Sequence, residues 1–213
     1  MTRTKPAEQR RAELLAAGQA LFLAKGIVAT SLDDITQRAG VSKGLFYLYF
    51  HAKEDLVLAL QEQFSRQVAE RMRAAADAQA DWTAKLDACV QASFECHRDL
   101  HDLHEVLFHH APPAGRTGRP AHDDRAGHDD RAGHGTRPGS GPAHAPVTRF
   151  IQDLFAAGTA AGAFDVPDPE AAALLCYASM HAFDQGFRGY GGPDDARLIQ
   201  AARDLFRRAA GAA

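Results

Sequence analysis

The sequence predicts an all-α protein of about nine helices, in which a small N-terminal unit of three helices precedes a larger helical body. Apolar residues recur at helical spacing along most of the 213-residue chain. No segment shows the apolar and polar alternation of a half-buried strand. Serine, glycine and proline stand where the periodic segments begin and end, as helix boundaries require.

The first predicted helix ends at residue 25. Four residues at helical spacing form its apolar face: Leu14, Gly18, Leu21 and Phe22. Lys25 places a cation in the last turn, and Gly26 is suited to the C-terminal cap.

The second predicted helix is short and has a marked start. Ser31 followed three residues later by Asp34 is typical of a capping box, in which side chain and backbone satisfy each other's hydrogen bonds. The helix is expected to end near Gly40.

A third and a fourth helix follow at once. Ser42 is placed to cap a helix from Lys43 to about Phe50. The fourth helix begins near Lys53 and continues at least to Val68. Five more helices are predicted in the body at roughly 83–97, 99–110, 146–161, 168–188 and 194–209.

Residues 112–146 differ in composition from the rest of the chain. These 35 residues contain no Leu, Ile, Val, Met, Phe, Tyr or Trp, but they hold six of the ten prolines. The hexamer His-Asp-Asp-Arg-Ala-Gly occurs twice in tandem, at 122–127 and 128–133. Because such a segment buries too little apolar area to offset its conformational entropy, we expect a disordered insertion.

Charge and cysteine usage narrow the class of protein. Residues 1–56 hold eight Lys/Arg and six Asp/Glu, which leaves 16 basic and 21 acidic residues for the remainder of a chain of net charge −3. The N-terminal unit is therefore weakly basic (+2) and the body acidic (−5). Three cysteines without metal-ligand spacing, and no apolar leader or membrane span, predict a cytoplasmic protein.

The start of the third helix carries an unusual charge pattern. Two short helices joined by residues 39–41 have the spacing of a helix-turn-helix, whose second helix enters the DNA major groove. A helix N-terminus ordinarily attracts acids, yet Ser42 is followed by Lys43 and Gly44, with no acid before Glu54. An external anion such as a DNA phosphate would complete this end of the helix.

Residues 31–56, SLDDITQRAGVSKGLFYLYFHAKEDL, closely resemble the DNA-binding signature of the tetracycline-repressor (TetR) family. The resemblance covers about residues 7–60. It implies a DNA-binding domain at 1–56 and an effector-binding and dimerisation domain at 57–213. By position, the DNA-facing residues would be Thr30, Ser31, Gln37, Arg38, Ser42, Lys43, Gly44, Leu45, Tyr47, Tyr49, His51 and Lys53.

The resemblance further implies how such a protein works. A dimer would bind a near-palindromic operator as a repressor and release it when a small molecule enters the body. Helix four, tilting on effector binding, would change the spacing of the two reading helices. No catalytic activity and no cofactor are expected.

Two apolar stripes near the C-terminus predict the dimer interface. Helix eight carries Ala171, Leu174, Leu175, Ala178, Ala182 and Gly186, and helix nine carries Leu198, Ala202, Leu205, Phe206 and Ala209. We expect parts of both stripes to form a two-fold four-helix interface. This would place the two reading helices about 34 to 36 Å apart, one duplex turn.

Aromatic and histidine residues of the body are candidates for the effector pocket, since such cavities need apolar walls and a few polar groups. The candidates are Phe94, His97, His101, Phe108, Tyr177, His181 and Phe183. His97, His101 and His104 also recur at helical spacing and are weak candidates for a metal site, although a solvated helix face is the simpler interpretation.

Two rival functions remain open from the sequence. The His101-Asp102 pair and its neighbours leave room for an all-helical metal-dependent phosphohydrolase, or for a metal-sensing form of the repressor. A nonspecific architectural DNA-binding protein is the other rival, but an acidic body much larger than the reading unit suits an effector-gated switch better. No nucleophile-elbow, phosphate-loop or dinucleotide motif is present. The sequence does not identify the effector, the operator or the regulated genes. It also leaves open the choice between repression and activation and the role of the insertion.

Overall fold

The computed structural model describes residues 6–109, 145–186 and 195–212, and within them all side chains except those of residues 109, 181–186 and 195. These ranges contain helices and no strand, which confirms the all-α prediction. The predicted insertion at 112–146, apart from its last two residues, lies outside the described residues.

Nine α-helices occur in the described ranges. They are α1 (Ala7–Lys25), α2 (Leu32–Ala39), α3 (Lys43–Tyr47), α4 (Lys53–Asp77), α5 (Trp82–Asp99), α6 (His101–His104), α7 (Ala145–Ala160), α8 (Pro169–Gly186) and α9 (Asp195–Ala209). A π-helical turn, Glu105–His109, continues α6. We call α1–α3 with their connections the head, and α4–α9 the body. The predicted domain boundary after residue 56 falls in the first turn of α4.

The head packs closely against the start of α4. Leu14 and Phe22 of α1 and Leu56 of α4 are all 0% exposed. A Cβ on Gly18 would come within 2.5 Å of Leu56 Cδ2, so the glycine permits the two helices to approach. Gly26, at φ 80°, ends α1 as predicted, and its amide donates to the Phe22 carbonyl.

The third helix is shorter than the sequence predicts. It ends at Tyr47 rather than near Phe50, and the amides of Tyr49 and Phe50 both donate to the Phe46 carbonyl. The physical reason lies in the next helix. The Asp55 carboxylate accepts the amides of residues 51 and 52, so the chain must leave α3 before then.

The body is a bundle arranged around α4 and α5. These two helices pack along one another, α7 also packs on α4, and α9 packs on α5. Phe155 and Phe206 are 0% exposed in this core. An ion pair between Arg207 and Asp87 joins α9 to α5 at the surface.

The predicted helix at 99–110 is wrong in one respect. Leu100, at φ −111° and ψ 22°, separates α5 from α6, and the π turn follows after one turn of α-helix. Because the axis is interrupted at this residue, His97 and His101 do not lie on one continuous helix. Their shared face, predicted from spacing, is therefore absent.

No helix among the described residues combines the length and apolar character needed to cross a membrane.

Candidate nucleic-acid interface

Capping hydrogen bonds at their N-termini hold the two short helices of the head, α2 and α3, in place. Ser31 Oγ accepts the Asp34 amide at 3.1 Å, and the Asp34 carboxylate accepts the Ser31 amide at 2.8 Å, which confirms the capping box. Lys25, together with Ser31, holds the pKa of Asp34 well below its ordinary value. The box therefore stays ionised and intact in mildly acidic solution.

The turn between α2 and α3 has the geometry predicted for it. Gly40 adopts the left-handed conformation at φ 64°, and the Val41 amide donates to the Thr36 carbonyl at 3.0 Å. Ser42 then caps α3, since its Oγ accepts the Leu45 amide at 3.2 Å. These contacts fix the direction of α3 relative to α2.

One aromatic side chain anchors α3 in the head. Phe46 is 0% exposed and lies 5.5 Å from the ring of Phe50 and 5.8 Å from that of Tyr47. Because Phe46 points inward, its neighbours point outward. Tyr47 is 53% exposed and Leu48 is 76% exposed.

Lys43 lies at the open start of α3 and faces an acid. Its ammonium is 2.5 Å from Asp33 Oδ1, with the two side chains 60% and 66% exposed. The hydrogen bond to Asp33 raises the pKa of Lys43. A Cβ on the neighbouring Gly44 would meet only Ser42 Oγ at 3.8 Å, so the surface beside Lys43 is open to a ligand.

The other candidate DNA contacts divide into two groups. Gln37, Arg38 and His51 are exposed, while Leu45 and Tyr49 are half-buried. Tyr49 and His51 lie at a shallow cleft of about 320 Å³ that continues toward Leu58 of α4.

Thr30 and Lys53 point into the head rather than away from it. Thr30 is 1% exposed, and its hydroxyl donates to the Gly26 carbonyl at 2.7 Å. The Lys53 ammonium donates to the carbonyls of Ile27 and Thr30. The family resemblance implied that both residues face DNA, but a position in the sequence does not give the direction of a side chain.

Sequence reasoning left two exposed apolar residues out of the interface. Leu48 and Val28, 76% and 81% exposed, lie at the end of α3 and in the α1–α2 turn. Apolar side chains of this kind can contact thymine methyl groups in the major groove. The signal that would have found Leu48 is its position between the inward-facing Phe46 and Phe50.

In the body, aromatic rings and imidazoles gather between α4, α5 and the π turn. His104 is 1% exposed and stacks on Phe108, with ring centroids 4.7 Å apart. Phe64 of α4 lies 5.2 Å from His104, and His97 lies 5.3 Å from it. His97 Nδ1 is 2.8 Å from the Ser93 carbonyl, so this nitrogen carries the proton of that hydrogen bond. We call these four rings the aromatic cluster.

The other effector candidates do not join the cluster as one set. Phe94 is half-buried, Tyr177 is buried on α8 and His101 is exposed. The side chains of His181 and Phe183 lie outside the described residues. Phe64, a central member of the aromatic cluster, was not among the effector candidates predicted from the sequence.

The three weak metal candidates, His97, His101 and His104, do not all come together. His97 and His104 point inward and His101 outward, and no group of three His, Cys, Asp or Glu side chains within the described ranges is placed to hold a metal ion. This arrangement offers no support for the metal-dependent phosphohydrolase.

Comparison with known proteins finds a family match for the N-terminal part of the chain. Residues 14–60 match the model of the tetR family of bacterial regulatory proteins. The transcriptional activator FasR of Mycolicibacterium smegmatis is 34% identical over 90 residues, 42% of this chain and 41% of that protein. The transcriptional repressor KstR2 of Mycobacterium tuberculosis is 36% identical over 86 residues, 40% of this chain and 43% of the relative. The chain thus spans about two fifths of the length of these curated relatives.

Solved structures extend the likeness to the whole fold. A TetR-family regulator from Syntrophomonas wolfei matches with a TM-score of 0.66 and 18% identity over 97% of each chain. The fatty acid degradation regulator FadR of Bacillus halodurans matches with a TM-score of 0.64 and 16% identity, covering 92% of this chain and 96% of that one. At these identities the likeness concerns the fold alone.

Proposed function

We propose that the chain, whose residues 14–60 match the tetR family of bacterial regulatory proteins, is a transcriptional repressor of that family. As a dimer it binds a near-palindromic DNA operator and releases it when a small molecule occupies the body. The observation that carries this proposal is the outward face of the capped helix α3, where Lys43, Tyr47 and Leu48 are exposed together. Repression follows the named mode of KstR2, whereas FasR is named as an activator.

The proposed DNA contacts follow from what the head displays. Lys43, beside Gly44 and the Ser42 cap, binds a phosphate, since phosphate contacts position a reading helix on the duplex. Tyr47 and Leu48 face base edges or sugars. The exposed Gln37, Arg38 and His51 add contacts at the sides.

The proposed dimer forms through the last two helices. Ala171, Leu174, Leu175 and Ala178 of α8 are all exposed, Leu175 by 72%, and Leu205 of α9 is 45% exposed. Ala202 and Phe206 of the second predicted stripe are buried within the protomer instead. Exposed apolar residues on neighbouring helices are typical of a surface that a second copy covers. A monomer in sedimentation at micromolar concentration without DNA would contradict this part.

The proposed effector site is the aromatic cluster of the body. Its rings and imidazoles provide apolar walls with a few polar atoms, as small-molecule sites require. It borders α4, the helix that leads to the head, so an occupant could favour one position of that helix. A coupling of about 1 to 3 kcal/mol already changes operator affinity about 5- to 150-fold.

The proposed location of the protein is the cytoplasm. This location fits both the DNA partner and the three buried free thiols.

The deciding experiment selects bound sequences from random duplex DNA. It compares the wild-type protein with Lys43→Ala and Tyr47→Ala over a salt series. We expect a palindrome, weaker binding in both variants, and for Lys43→Ala a salt slope smaller by about 0.9 per protomer, about 1.8 for the dimer. Arg66→Ala is the matched control, because Arg66 is also an exposed, paired cation but lies on α4.

Recovery of the palindrome by wild type and Arg66→Ala, with loss in the two α3 variants, would support the proposal. A folded dimer that enriches no sequence would refute specific DNA recognition. Expression of a reporter behind the selected sequence then separates repression from activation.

A further inference from the structure

Lys53, the first residue of α4, holds the turn between α1 and α2. Its ammonium donates to the Ile27 carbonyl at 2.8 Å and to the Thr30 carbonyl at 2.9 Å. Both acceptors are main-chain atoms more than 20 positions away in the sequence. The contact therefore joins the first turn of the body to the middle of the head.

The turn that Lys53 binds leads directly into α2 and fixes where that helix begins. Thr30 closes it, since its amide donates to the Ile27 carbonyl at 3.3 Å and its hydroxyl to the Gly26 carbonyl at 2.7 Å. Ile27 is 8% exposed. The next residue, Ser31, is the N-cap of α2. A displacement of the two carbonyls would consequently displace the start of the helix-turn-helix.

The charge of Lys53 explains why it takes these partners. A cation in the first turn of a helix is repelled by the helix dipole, so an ammonium there needs acceptors elsewhere. An ammonium has three donors, and two are directed to the turn. Lys43 differs, because its ammonium lies at the exposed surface and pairs with the exposed carboxylate of Asp33.

The same helix meets the aromatic cluster farther along. Phe64 follows Lys53 by eleven residues, roughly 16 Å along a helix axis. Gln61 Nε2 donates to the Leu107 carbonyl of the π turn at 2.7 Å. Thus α4 contacts the proposed effector site near its middle and the head through its first residue.

We infer that Lys53 is a positioning residue that transmits the position of α4 to α2 through the Ile27 and Thr30 carbonyls, and is not a phosphate contact. The inference rests on the proposed function in assigning this link a role in operator release. It replaces the assignment of Lys53 to the DNA-facing set that its sequence position implied.

The test compares Lys53→Met, which keeps the aliphatic stem, with Lys53→Arg, which keeps the donors, and with Lys43→Met. Hydrogen exchange in the DNA-free protein is measured at the amides of residues 26–34. We expect at least tenfold faster exchange there in Lys53→Met, unchanged exchange in α5, restored protection in Lys53→Arg, and no change in Lys43→Met.

Operator affinity over a salt series supplies the second measurement. Lys53→Met should bind more weakly with the wild-type salt slope, whereas Lys43→Met should lose about 1.8 from the slope of the dimer. A slope reduced in Lys53→Met as in Lys43→Met would overturn the inference, and so would unchanged exchange at residues 26–34. If the wild type selects no DNA sequence, the proposed function fails while exchange still decides the link. Should Lys53→Met not fold, Lys53→Gln is measured in the same way, with the same outcomes for and against.

Discussion

The head and the body of this protein keep their distinctive side chains in opposite places. In the head, Lys43 and Tyr47 of α3 and Leu48 at its C-terminal end are each more than half exposed. In the body, His104 and Phe64 are 1% and 3% exposed. A surface that reads DNA has to display donors and apolar groups to a partner that comes from outside. A site for a small molecule has to enclose it, because affinity for a small ligand depends on burying most of its surface.

This difference also separates what stabilises the two regions. The head has a small core, to which the buried rings of Phe22, Phe46 and Phe50 contribute, and its short helices α2 and α3 are capped by Ser31 and Ser42. The body buries long helices against one another over many turns. We therefore expect single substitutions in the head to affect DNA binding directly, and substitutions in the body core to lower stability first.

The largest expected effect comes from the anchor of α3. Phe46→Ala should cost about 3 to 5 kcal/mol, the usual range for a fully buried aromatic residue, and should abolish operator binding. Phe155→Ala removes an equally buried ring from the body and should lower the free energy of unfolding by a similar amount. Denaturant unfolding and operator binding at a temperature where both variants are folded make the comparison. Equal loss of operator affinity in the two would contradict the distinction between head and body.

The next effect concerns the thiols, all three of which lie in the body. Burial raises the pKa of Cys89 and of Cys176 to about 12, and it raises the pKa of Cys96. Since the thiolate is the nucleophile and an ordinary thiol titrates near 8.5, alkylation of Cys89 and Cys176 at pH 8 should be at least about a hundredfold slower than in the unfolded chain, and alkylation of Cys96 should also be slower. Leu48→Cys adds a thiol at an exposed site of the head and should react at the rate of an unfolded cysteine.

Mass spectrometry of the alkylated peptides reads each site separately. Rapid alkylation of Cys89 in the native state would show that the body opens readily. It would contradict the distinction between an exposed head surface and an enclosed body core. The pH dependence of the alkylation rate gives a second check. Because its pKa is raised, Cys89 should begin to react only at higher pH, whereas the thiol of Leu48→Cys should react near the pH of an ordinary thiol.

The head could be predicted from sequence to the level of single hydrogen bonds. Ser31, Asp34, Gly40 and Ser42 act on residues at most five positions away, so their spacing alone encodes the contacts. What spacing could not give was the direction of a long side chain. Lys53 reaches carbonyls of another helix connection, and only the packing of α4 on α1 shows it.

The body could be predicted only as a succession of helices. Which of its aromatic residues meet depends on how α4, α5 and the π turn cross, and that is set by contacts between residues tens of positions apart. The periodic spacing of apolar residues also predicted that Leu100 is helical, because one non-helical residue does not change the apolar pattern. His101 was therefore grouped with His97 and His104, although it lies on the outside.

A smaller effect is expected from a matched pair of helix caps. Ser31 Oγ accepts the Asp34 amide in the head, and the Asp81 carboxylate accepts the Ala84 amide at 2.8 Å at the start of α5. Each substitution by alanine should cost about 1 kcal/mol. Ser31→Ala should loosen α2 and weaken operator binding about fivefold. Asp81→Ala should lower the melting temperature without changing operator affinity, and a comparable loss of affinity in this variant would tie the two regions together more closely than proposed.

The smallest effect has the opposite sign. Asp33→Asn removes the carboxylate that pairs with Lys43 in the DNA-free head and that would repel an incoming phosphate. Because exposed ion pairs are weak, operator affinity should rise only about two- to fivefold, and the gain should shrink as salt screens the charges. Glu62→Gln is the control, since it breaks the similar exposed pair with Arg66 on α4 and should leave affinity unchanged. Weaker binding by Asp33→Asn would mean that the acid contributes more by favouring the start of α2 than it costs by competing for Lys43. Tighter binding would place the phosphate where Asp33 now lies, and so locate the DNA backbone beside the first turn of α3.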